Sequence, residues 1–330
     1  MGSAIDIFSG AGGLSLGLQK AGWDVQAAIE FDQTASETHR KNIPESEHIC
    51  ADVRDVAFRK YFNIDLIAGG PPCQPFSVSG KRLGQFDLRD MVPQFVRAVA
   101  EAKPKAFLME NVAGLTNRRF RSYLDEKIND LHSLGYTVFS KVLNAADYGV
   151  AQKRKRLMLV GIRSDQDGIF HFPQETHGDD ADFPFYTTSQ CLKDVPDDVP
   201  NKAKVVFCKN PVLRKSPYAG MLFNGKGRPL ESDGLAHTIP ASAGGNRTHI
   251  LDPLNLIPAY HACLMKGEKP RTGELQEVRR ITVRESARIQ SFPDNFEFVG
   301  RQSSRYSQVG NAVPPKLAYE MGNALAQSIL

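Results

Sequence analysis

Apolar positions repeat with two different periods along the first 163 residues of the chain. Short apolar runs at residues 4–8, 25–29 and 65–68 have the length and composition of buried strands. Residues 91–102 instead repeat their apolar positions at the spacing of a helix. Strands that alternate with helices predict an α/β fold around a mostly parallel sheet.

Two further apolar runs, residues 137–143 and 157–162, are predicted to be neighbouring strands. They lie too close in sequence for a helical crossover between them, so we expect them to pair antiparallel. The sheet would then be mostly parallel with an antiparallel final strand. A last helix is predicted at about residues 315–329.

The composition changes after Arg163, and this change predicts a second domain. From residue 164 to residue 277 the chain is rich in Pro, Asp, Gly and Asn, with few helical periods. Regular structure returns with Thr282 and Glu285, which have the spacing of a capping box at a helix start. The predicted domains are residues 1–163, a smaller loop-rich domain at 164–277, and a segment 278–330 whose final helix returns to the first domain.

A glycine-rich turn follows the first strand and precedes a helix, as in nucleotide-binding βα units. Gly10 and Gly12 match the first two positions of the dinucleotide pattern G-x-G-x-x-G, but Ser15 stands at the third. The turn alone is therefore a weak signal, and other residues have to identify the ligand.

Polar and aromatic residues at the ends of the next two strands suit an adenosine-bearing cofactor. Glu30 lies about twenty residues after the turn, the spacing of a residue that binds a ribose diol. Phe31 can stack on an adenine, and Asp52 can accept a hydrogen bond from an exocyclic amine. Each carboxylate taken singly is as readily a surface charge or a helix cap, but the ordered set favours the cofactor.

Residues 69–77, Gly-Gly-Pro-Pro-Cys-Gln-Pro-Phe-Ser, place a cysteine where a buried strand ends. The glycines allow close backbone approach, and the two prolines stiffen the loop. A lone cysteine is more often a small buried residue than a nucleophile. Glu110, however, ends the apolar strand at 106–109, where a carboxylic acid could donate a proton beside Cys73. A carboxylate satisfied by backbone amides is the alternative for Glu110.

The cysteine content excludes two classes of site. None of the five cysteines forms a C-x-x-C pair, so neither a disulfide framework nor a zinc site is indicated, and no metal is expected. A reducing, cytoplasmic location fits best. No apolar run is long enough to span a bilayer, and no signal-peptide pattern is present, so no membrane association is expected.

The net charge of +4 is too small to indicate nucleic acid, but its distribution is uneven. Basic residues cluster at 118–121, 153–156 and 279–284, although a solvated face explains any one cluster as well. Two loops, at 225–229 and 243–248, combine glycine with basic and small polar residues. Such loops can follow a phosphate backbone or enter a groove, and they can equally be ordinary turns.

Taken together, these motifs resemble the DNA (cytosine-5) methyltransferases of bacterial and phage type over all of the chain except the middle domain. The resemblance rests on the order and spacing of these blocks: Asp6-Ile-Phe-Ser-Gly-Ala-Gly-Gly13, Glu30-Phe31, Asp52-Val53, Pro71-Pro-Cys-Gln74 with Phe76-Ser77, Glu110-Asn-Val112, Gln152-x-Arg154-x-Arg156, residues 280–293 and Gly310-Asn-Ala-Val-Pro314.

The resemblance implies a Rossmann-like, S-adenosylmethionine-dependent methyltransferase sheet with a smaller target-recognition domain at 164–277. It implies S-adenosylmethionine as cofactor. The cofactor-binding residues that it suggests are Phe8, Ser9, Gly10, Ala11, Gly12, Gly13, Leu14, Glu30, Phe31, Asp52, Val53, Pro71, Val92, Asn311 and Ala312.

The same resemblance assigns a mechanism to matching residues. A cytosine would be flipped out of duplex DNA, and the Cys73 thiolate would add to ring carbon 6. Glu110 would protonate or hydrogen-bond ring nitrogen 3 and the amino group. Arg154 and Arg156 would support the pocket, with Arg156 nearer the pyrimidine carbonyl oxygen. Carbon 5 could then take the methyl group, and loss of its proton would expel Cys73.

Double-stranded DNA is accordingly the expected partner, bound by a monomer. A cognate restriction endonuclease that acts separately is a further candidate partner. Thr238 resembles the threonine of a small motif in the family's target-recognition domain. The residues expected to contact DNA are Ser77, Arg89, Thr238, Arg228, Asn246 and Arg247.

Three other functions remain to be distinguished. A nicotinamide-dependent dehydrogenase explains the glycine turn but leaves Cys73 and Glu110 without a role. A tRNA cytosine-5 methyltransferase of the same superfamily uses the same chemistry, but the Cys-Phe-Thr tripeptide usual in that branch is absent. A non-catalytic DNA-binding module predicts binding without turnover, which the intact pair of Cys73 and Glu110 argues against.

Overall fold

The computed structural model describes residues 1–72 and 90–330. Two compact units make up this part of the chain. The first unit comprises Met1–Tyr148, Arg154–Thr176 and Ala312–Leu330, and the second comprises Gly149–Lys153 and His177–Asn311.

The core of the first unit is a seven-stranded sheet, counted over the described residues. Its strands are β1 (Ser3–Ile7), β2 (Asp24–Glu30), β3 (Glu47–Cys50), β4 (Leu66–Gly69), β5 (Ala106–Val112), β6 (Tyr136–Asn144) and β8 (Lys155–Arg163), while β7 (Gln152–Lys153) belongs to the second unit. The strand order is β3-β2-β1-β4-β5-β8-β6. Strands β1 to β5 pair in parallel, and β8 runs antiparallel to both β5 and β6. The predicted mostly parallel sheet with an antiparallel final strand is confirmed.

The helices of the first unit are α1 (Gly13–Lys20), α2 (Gln33–Asn42), α3 (Val92–Ala102), α4 (Arg121–Ser133) and α9 (Pro315–Ile329). They pack on this sheet or, in the case of α9, on helix α1. Phe95 of α3 is fully buried against Phe107 of β5, with ring centroids 5.9 Å apart. The predicted helices at 91–102 and 315–329 are therefore present to within one residue.

Helices α1 and α9 approach each other closely through small residues. An ideal Cβ on Gly17 would lie 2.3 Å from the Cβ of Ala318 and 2.5 Å from the carbonyl oxygen of Pro315. The indole Nε1 of Trp23 donates a hydrogen bond of 2.9 Å to the carbonyl oxygen of Gly322. Helix α9 therefore packs closely against α1, and the Trp23 hydrogen bond stabilises this contact.

Replacing Gly17 by alanine should destabilise the protein by about 1–3 kcal/mol, because the added methyl group would overpack the contact between α1 and α9. Denaturant unfolding of the purified protein measures this change. Lys20→Ala on the same helix changes an exposed side chain and should stay within about 0.5 kcal/mol of wild type. Equal stabilities for the two variants would contradict the packing described.

The second unit contains short elements joined by long connections. Its strands are β7, β9 (Phe207–Val212), β10 (Met221–Phe223), β11 (Ala236–His237), β12 (Ile250–Leu251) and β13 (Arg279–Arg280). Its helices are α5 (Thr188–Leu192), α6 (Leu256–Met265), α7 (Val283–Ile289) and α8 (Gln302–Asn311). A small separate core holds it together, formed by Val205, Leu222, Phe223, Ile250, Ile257, Tyr260 and Leu264.

The limits of the compact units differ from the domain limits expected from composition. Residues 164–176 belong to the first unit, and residues 278–311 belong to the second. A buried arginine explains the second difference. The guanidinium of Arg280 donates to the carbonyl oxygens of Thr248 (2.7 Å) and Asn224 (2.8 Å), which ties the start of this segment to the second unit.

The capping box predicted at the start of α7 is confirmed. The hydroxyl of Thr282 accepts from the backbone N–H of Glu285, and the Glu285 carboxylate accepts from the backbone N–H of Thr282. Within residues 1–72 and 90–330, no helix combines the length and apolar character needed to cross a membrane.

Candidate active site

The carboxyl ends of strands β1, β2, β4 and β5 meet along one edge of the sheet. Ile7 pairs with Ile29 and with Gly69, and Gly69 pairs with Met109. Phe8, Glu30, Gly70 and Glu110 follow directly on these strand ends. This edge is where open α/β sheets bind their ligands, and it collects most of the residues expected for catalysis and cofactor binding.

The glycine turn after β1 is held by the carboxylate of Glu30. Gly10 N–H donates to Oε2 at 2.8 Å, and Asp32 N–H donates to Oε1 at 2.8 Å. Burial raises the pKa of Glu30, while these amide hydrogen bonds oppose the rise. The turn itself needs left-handed backbone at Phe8 (φ 63°) and Gly12 (φ 98°), a conformation that glycine adopts without strain and phenylalanine does not.

The turn and its surroundings fit an adenosyl group. Apart from Gly10 and its two chain neighbours, no atom of residues 1–72 and 90–330 lies within 4 Å of the place where a Cβ on Gly10 would stand. The Phe31 ring is 73% exposed, which leaves an apolar face ready for a flat base.

Other residues expected at the cofactor site lie in varied environments. Asp52 forms an ion pair of 2.5 Å with Arg54. Hydrogen bonds from Arg54 lower the pKa of the Asp52 carboxylate. Its carboxylate is thus already engaged. Asn311 belongs to the second unit and Ala312 to the first. The remaining expected residues are wholly or largely buried, namely Ser9, Ala11, Gly12, Gly13, Leu14, Val53, Pro71 and Val92.

Val92 is 1% exposed and packs in the hydrophobic core of the first unit. The sequence pattern had placed it both on the apolar face of a helix and among the cofactor contacts. Its core position explains the apolar pattern of α3.

Glu110 and Arg156 form the central ion pair at this edge. The Nε atom of Arg156 lies 2.7 Å from Oε1 of Glu110, and both side chains are largely buried. Oε1 nevertheless has no hydrogen-bond partner among the described residues, because the contact is close but poorly aligned. The other carboxylate oxygen, Oε2, faces Gly70, where an ideal Cβ would lie 3.2 Å away. The carboxylate therefore keeps accepting capacity next to the chain that leads to Cys73.

Arg154, two residues earlier, has a different environment from Arg156. Its side chain is 1% exposed, and Nη2 donates to the carbonyl oxygen of Ala312 at 3.0 Å. Burial, followed by the charge of Arg156, lowers the pKa of Arg154, while Glu110 opposes the shift. Arg154 therefore ties the start of α9 to β8, whereas Arg156 contacts the carboxylate.

Asn111 also belongs to this edge, although no catalytic or binding role was expected for it from the sequence motifs. Its side-chain Nδ2 donates to the carbonyl oxygen of Pro71 at 3.1 Å, and its Oδ1 accepts from the Val112 N–H at 2.8 Å. Met91 N–H donates to the carbonyl oxygen of Pro72 at 3.1 Å. Three of the expected residues, Cys73, Ser77 and Arg89, lie outside the described residues.

A buried chain of polar groups lies beneath the glycine turn. Ser15 donates to the Asp6 carboxylate at 2.6 Å, His39 Nε2 is 2.9 Å from the Ser15 hydroxyl, and His39 Nδ1 is 2.9 Å from His48 Nε2. Burial raises the pKa of Asp6 to about 7 and lowers the pKa of His39 to about 3. Ser15 occupies the third position of the glycine pattern, so this chain accounts for the missing glycine.

In the second unit, the two glycine-containing loops pack together. Lys226 N–H donates to the carbonyl oxygen of Asn246 at 3.2 Å, and a Cβ on Gly225 would lie 2.0 Å from that oxygen. This contact brings the expected DNA-binding residues Arg228, Asn246 and Arg247 onto neighbouring loops. The hydroxyl of Thr238 donates to the carbonyl oxygen of Lys153 at 2.6 Å.

The buried side chain of His249 links residues 237 and 228 through hydrogen bonds that require the proton on Nε2. Its Nε2–H donates to the carbonyl oxygen of His237 (3.1 Å), and its Nδ1 accepts from the Arg228 N–H (3.3 Å). Burial lowers the pKa of His249 to about 4. Protonation of Nδ1 would break the hydrogen bond from Arg228, because the Nδ1–H and the Arg228 N–H would both be donors facing each other.

The free energy of unfolding should therefore decrease as the pH is lowered from the pKa of His249 in the unfolded chain to its pKa in the folded protein. The neutral form is favoured in the folded state, so the full stability is present above about pH 6.5 and is lost toward pH 4. The expected loss is about 1.4 kcal/mol per pH unit for this group. Unfolding free energies of wild type and His249→Gln at pH 7 and pH 5 measure it. The variant should lose less stability on acidification.

His171→Gln, which changes an exposed histidine, is the matched control and should keep the wild-type pH dependence. A His249→Gln protein that loses as much stability as wild type between the two pH values would contradict the assignment.

Among the described residues, no cluster of three or more His, Cys, Asp or Glu side chains could hold a metal ion.

Comparison with known proteins decides the family. The profile of C-5 cytosine-specific DNA methylases matches residues 2–327. The chain belongs to this family. It is 34% identical to the type II methyltransferase M.NgoPII of Neisseria gonorrhoeae, over 98% of this chain and 95% of the relative. It is 37% identical to the type II methyltransferase M.Eco47II of Escherichia coli, over 98% of this chain and 78% of the relative.

A solved structure agrees with the fold of this C-5 cytosine-specific DNA methylase. A mutant of DNMT2 from Spodoptera frugiperda superposes with a TM-score of 0.74 at 19% identity, over 99% of this chain and 100% of that one. The family expected from the sequence motifs is confirmed, and with it the enzyme class and S-adenosylmethionine as methyl donor. The family match favours the DNA enzyme over the tRNA enzyme.

Proposed function

We propose that this protein methylates carbon 5 of a flipped cytosine within one short duplex DNA sequence, as the modification methyltransferase of a restriction-modification system. The observation that carries the proposal is the Glu110–Arg156 pair at the sheet edge, where the chain leads to Cys73. The type II methyltransferases M.NgoPII and M.Eco47II, similar over nearly the whole chain, support it.

In this mechanism Cys73 supplies the electrons that activate the ring. Carbon 5 of cytosine is a poor nucleophile until the ring is activated, so a covalent step is required. The thiolate forms a bond to carbon 6 while Glu110 gives a proton to nitrogen 3. Carbon 5 of the resulting enamine takes a methyl group, which S-adenosylmethionine supplies when bound. A base removes the carbon 5 proton, the bond between carbon 6 and sulfur breaks to release the Cys73 thiolate, and nitrogen 3 returns its proton to Glu110.

The geometry of Glu110 suits this role. Oε1 is paired with Arg156, and Oε2 faces Gly70, beside the chain that leads to Cys73, so Oε2 would be the atom that exchanges a proton with the cytosine ring. Arg156 contacts the carboxylate and would also donate to the pyrimidine carbonyl oxygen. Arg154 holds β8 and the start of α9 together behind this pair. Asn111 joins the adjoining strand end to Pro71 and so positions the same carboxylate.

The cofactor would be held at the glycine turn. Glu30 fixes the turn through Gly10 and can reach a ribose diol, and Phe31 offers its exposed ring to the adenine. Asp52 would accept from the adenine amine while it remains paired with Arg54. The further contacts proposed are Phe8, Ser9, Ala11, Gly12, Gly13, Leu14, Val53, Pro71, Val92, Asn311 and Ala312.

The loop-rich part of the chain would recognise the target sequence. Arg228, Asn246 and Arg247 lie on packed loops that contain no carboxylate, and Thr238 lies on the adjoining strand region. Ser77 and Arg89 are proposed as DNA contacts from their sequence positions. A monomer in the bacterial cytoplasm, working beside a separately acting restriction endonuclease, is the form proposed.

Base-resolution sequencing for 5-methylcytosine in DNA from cells that express the protein tests this proposal. Methylation confined to one short motif is the expected result, and Cys73→Ser expressed at the same level is the control. Unmethylated DNA from cells with soluble protein would overturn the proposal. Sequencing of tRNA from the same cells would then test whether the protein is a tRNA cytosine-5 methyltransferase. Unmodified tRNA would favour a non-catalytic DNA-binding protein.

A further inference from the structure

Positive charge is concentrated in one segment of the second unit. Residues 199–230 contain Lys202, Lys204, Lys209, Arg214, Lys215, Lys226 and Arg228, and no Asp or Glu. This segment thus carries +7 in a chain of net charge +4, which leaves the remainder at −3. A local excess of this size is the electrostatic footprint of a polyanion-binding surface.

The middle of this segment is the antiparallel ribbon of β9 and β10. At its base, Phe207 pairs with Phe223, and both rings pack against Tyr260. At its far end, Val212 pairs with Met221. The ribbon is therefore anchored in the core of the second unit by one end and projects with the other.

The projecting end carries apolar side chains between cations. Val212, Leu213 and Met221 are 47%, 37% and 45% exposed, respectively. Exposed apolar side chains that lie together on a soluble protein mark a contact surface.

Three cations of the ribbon and its connection are available for a partner, Lys209 within β9 and Arg214 and Lys215 between β9 and β10. Lys209, Arg214 and Lys215 are exposed and form no ion pair within the described residues, whereas Lys204 is paired with Glu274 at 2.6 Å. Their charges are therefore not neutralised by the chain itself.

Two histidines fix the connection between β9 and β10. His261 Nε2–H donates to the carbonyl oxygen of Arg214 at 2.8 Å, and His237 Nε2–H donates to the carbonyl oxygen of Tyr218 at 2.9 Å. His237 directly precedes Thr238, the proposed base contact. The ribbon end is thus held in place beside the recognition loops, which lowers the entropy lost when it binds.

We propose that the β9–β10 ribbon enters the major groove of duplex DNA as an additional recognition element, an inference that rests on the proposed function. Lys209, Arg214 and Lys215 would neutralise phosphates on the groove walls. Val212, Leu213 and Met221 would contact thymine methyl groups on the groove floor. The major groove admits a two-stranded ribbon, and thymine is the base that presents a methyl group there.

The charge part is tested by the salt dependence of binding to a non-specific duplex, measured by fluorescence anisotropy. Each phosphate contact contributes about 0.9 to the slope of log K against log salt. The combined variant Lys209→Gln, Arg214→Gln, Lys215→Gln should therefore lower the magnitude of the slope by about 2.7. Cofactor binding should be unchanged, which shows that the first unit remains folded.

A matched control removes three exposed lysines of the same unit that have acidic neighbours in sequence: Lys193→Gln, Lys266→Gln, Lys269→Gln. Its slope should equal that of wild type. Equal slopes for wild type and the ribbon variant, or equal losses in the two triple variants, would overturn the inference.

The apolar part is tested with the motif identified by sequencing and its flanks, in which thymine is replaced by deoxyuridine. Wild type should bind the deoxyuridine duplex at least about 5-fold more weakly, a loss of about 1 kcal/mol or more. The variant Leu213→Ser, Met221→Ser should bind both duplexes equally. A wild type that is indifferent to every thymine methyl group would refute the groove contact.

The two proposals fail in different ways. Site-specific methylation together with an unchanged slope in the ribbon variant would remove the ribbon and keep the function. A lowered slope without any methylation would keep the ribbon as a DNA-binding element and remove the catalytic function.

Discussion

Glu110→Gln should slow covalent addition to cytosine at least ~100-fold, the range expected for general acid catalysis. Glutamine keeps the size of the side chain and can still accept a hydrogen bond, but it has no acidic proton for nitrogen 3. It also leaves the Arg156 guanidinium without the anion that lies 2.7 Å away. Addition and methyl transfer are followed together under single-turnover conditions, as the tritium that carbon 5 of labelled cytosine loses after it has taken the methyl group.

A matched control for this variant is Glu126→Gln, which makes the same change at an exposed position of α4. It should keep the wild-type rate. Cofactor affinity, measured by calorimetry, should be equal in all three proteins because Glu30 and the glycine turn are untouched. An addition rate that Glu110→Gln leaves unchanged would remove this carboxylate from the mechanism.

Cys73→Ser should reduce turnover at least ~10⁴-fold, as expected when an enzyme loses its nucleophile. A serine hydroxyl is not ionised near neutral pH, whereas a thiol beside positive charge is readily converted to the reactive thiolate. DNA affinity should be retained, because no charge that meets phosphate is removed. Turnover is measured with tritiated S-adenosylmethionine, and affinity by anisotropy on the same duplex.

Cys263→Ser serves as the control, because Cys263 is a half-buried free cysteine in α6 of the second unit. It should methylate at the wild-type rate. The covalent adduct supplies a second readout: wild type should form a denaturation-resistant complex with DNA, and Cys73→Ser should form none. Methylation by Cys73→Ser near the wild-type rate would refute the nucleophile role.

Local sequence signals predicted the sheet and much of its edge. The apolar runs before Phe8 and Glu30 are β1 and β2, because a strand buried on both faces needs continuous apolar residues. The antiparallel β8 followed from the short connection after β6. The twenty-residue spacing between the turn and Glu30 reflects one βαβ unit, and the structure adds that Glu30 holds the turn itself.

Features that depend on packing between distant elements were not predictable. The hydrogen-bonded series from Asp6 through Ser15 to His39 joins a strand and two helices. The residues next to each of the three in sequence do not indicate this contact. The attachment of residues 278–311 to the second unit depends on Arg280, which reaches across 32 and 56 residues to Thr248 and Asn224. Composition predicts that regular structure resumes at this segment, but it does not predict which unit the segment packs against.

The packing of α9 on α1 has a consequence for biosynthesis. The hydrogen bond from Trp23 to Gly322 joins residues 299 positions apart, so the first unit cannot close until the last helix leaves the ribosome. At about 5–20 residues per second, the 167 residues after Arg163 take roughly 10–30 s to make. During that interval the small residues of α1 are uncovered, while residues 149–153 and 177–311 of the second unit have already been synthesised. The nascent protein is therefore most exposed to aggregation before its final helix is translated.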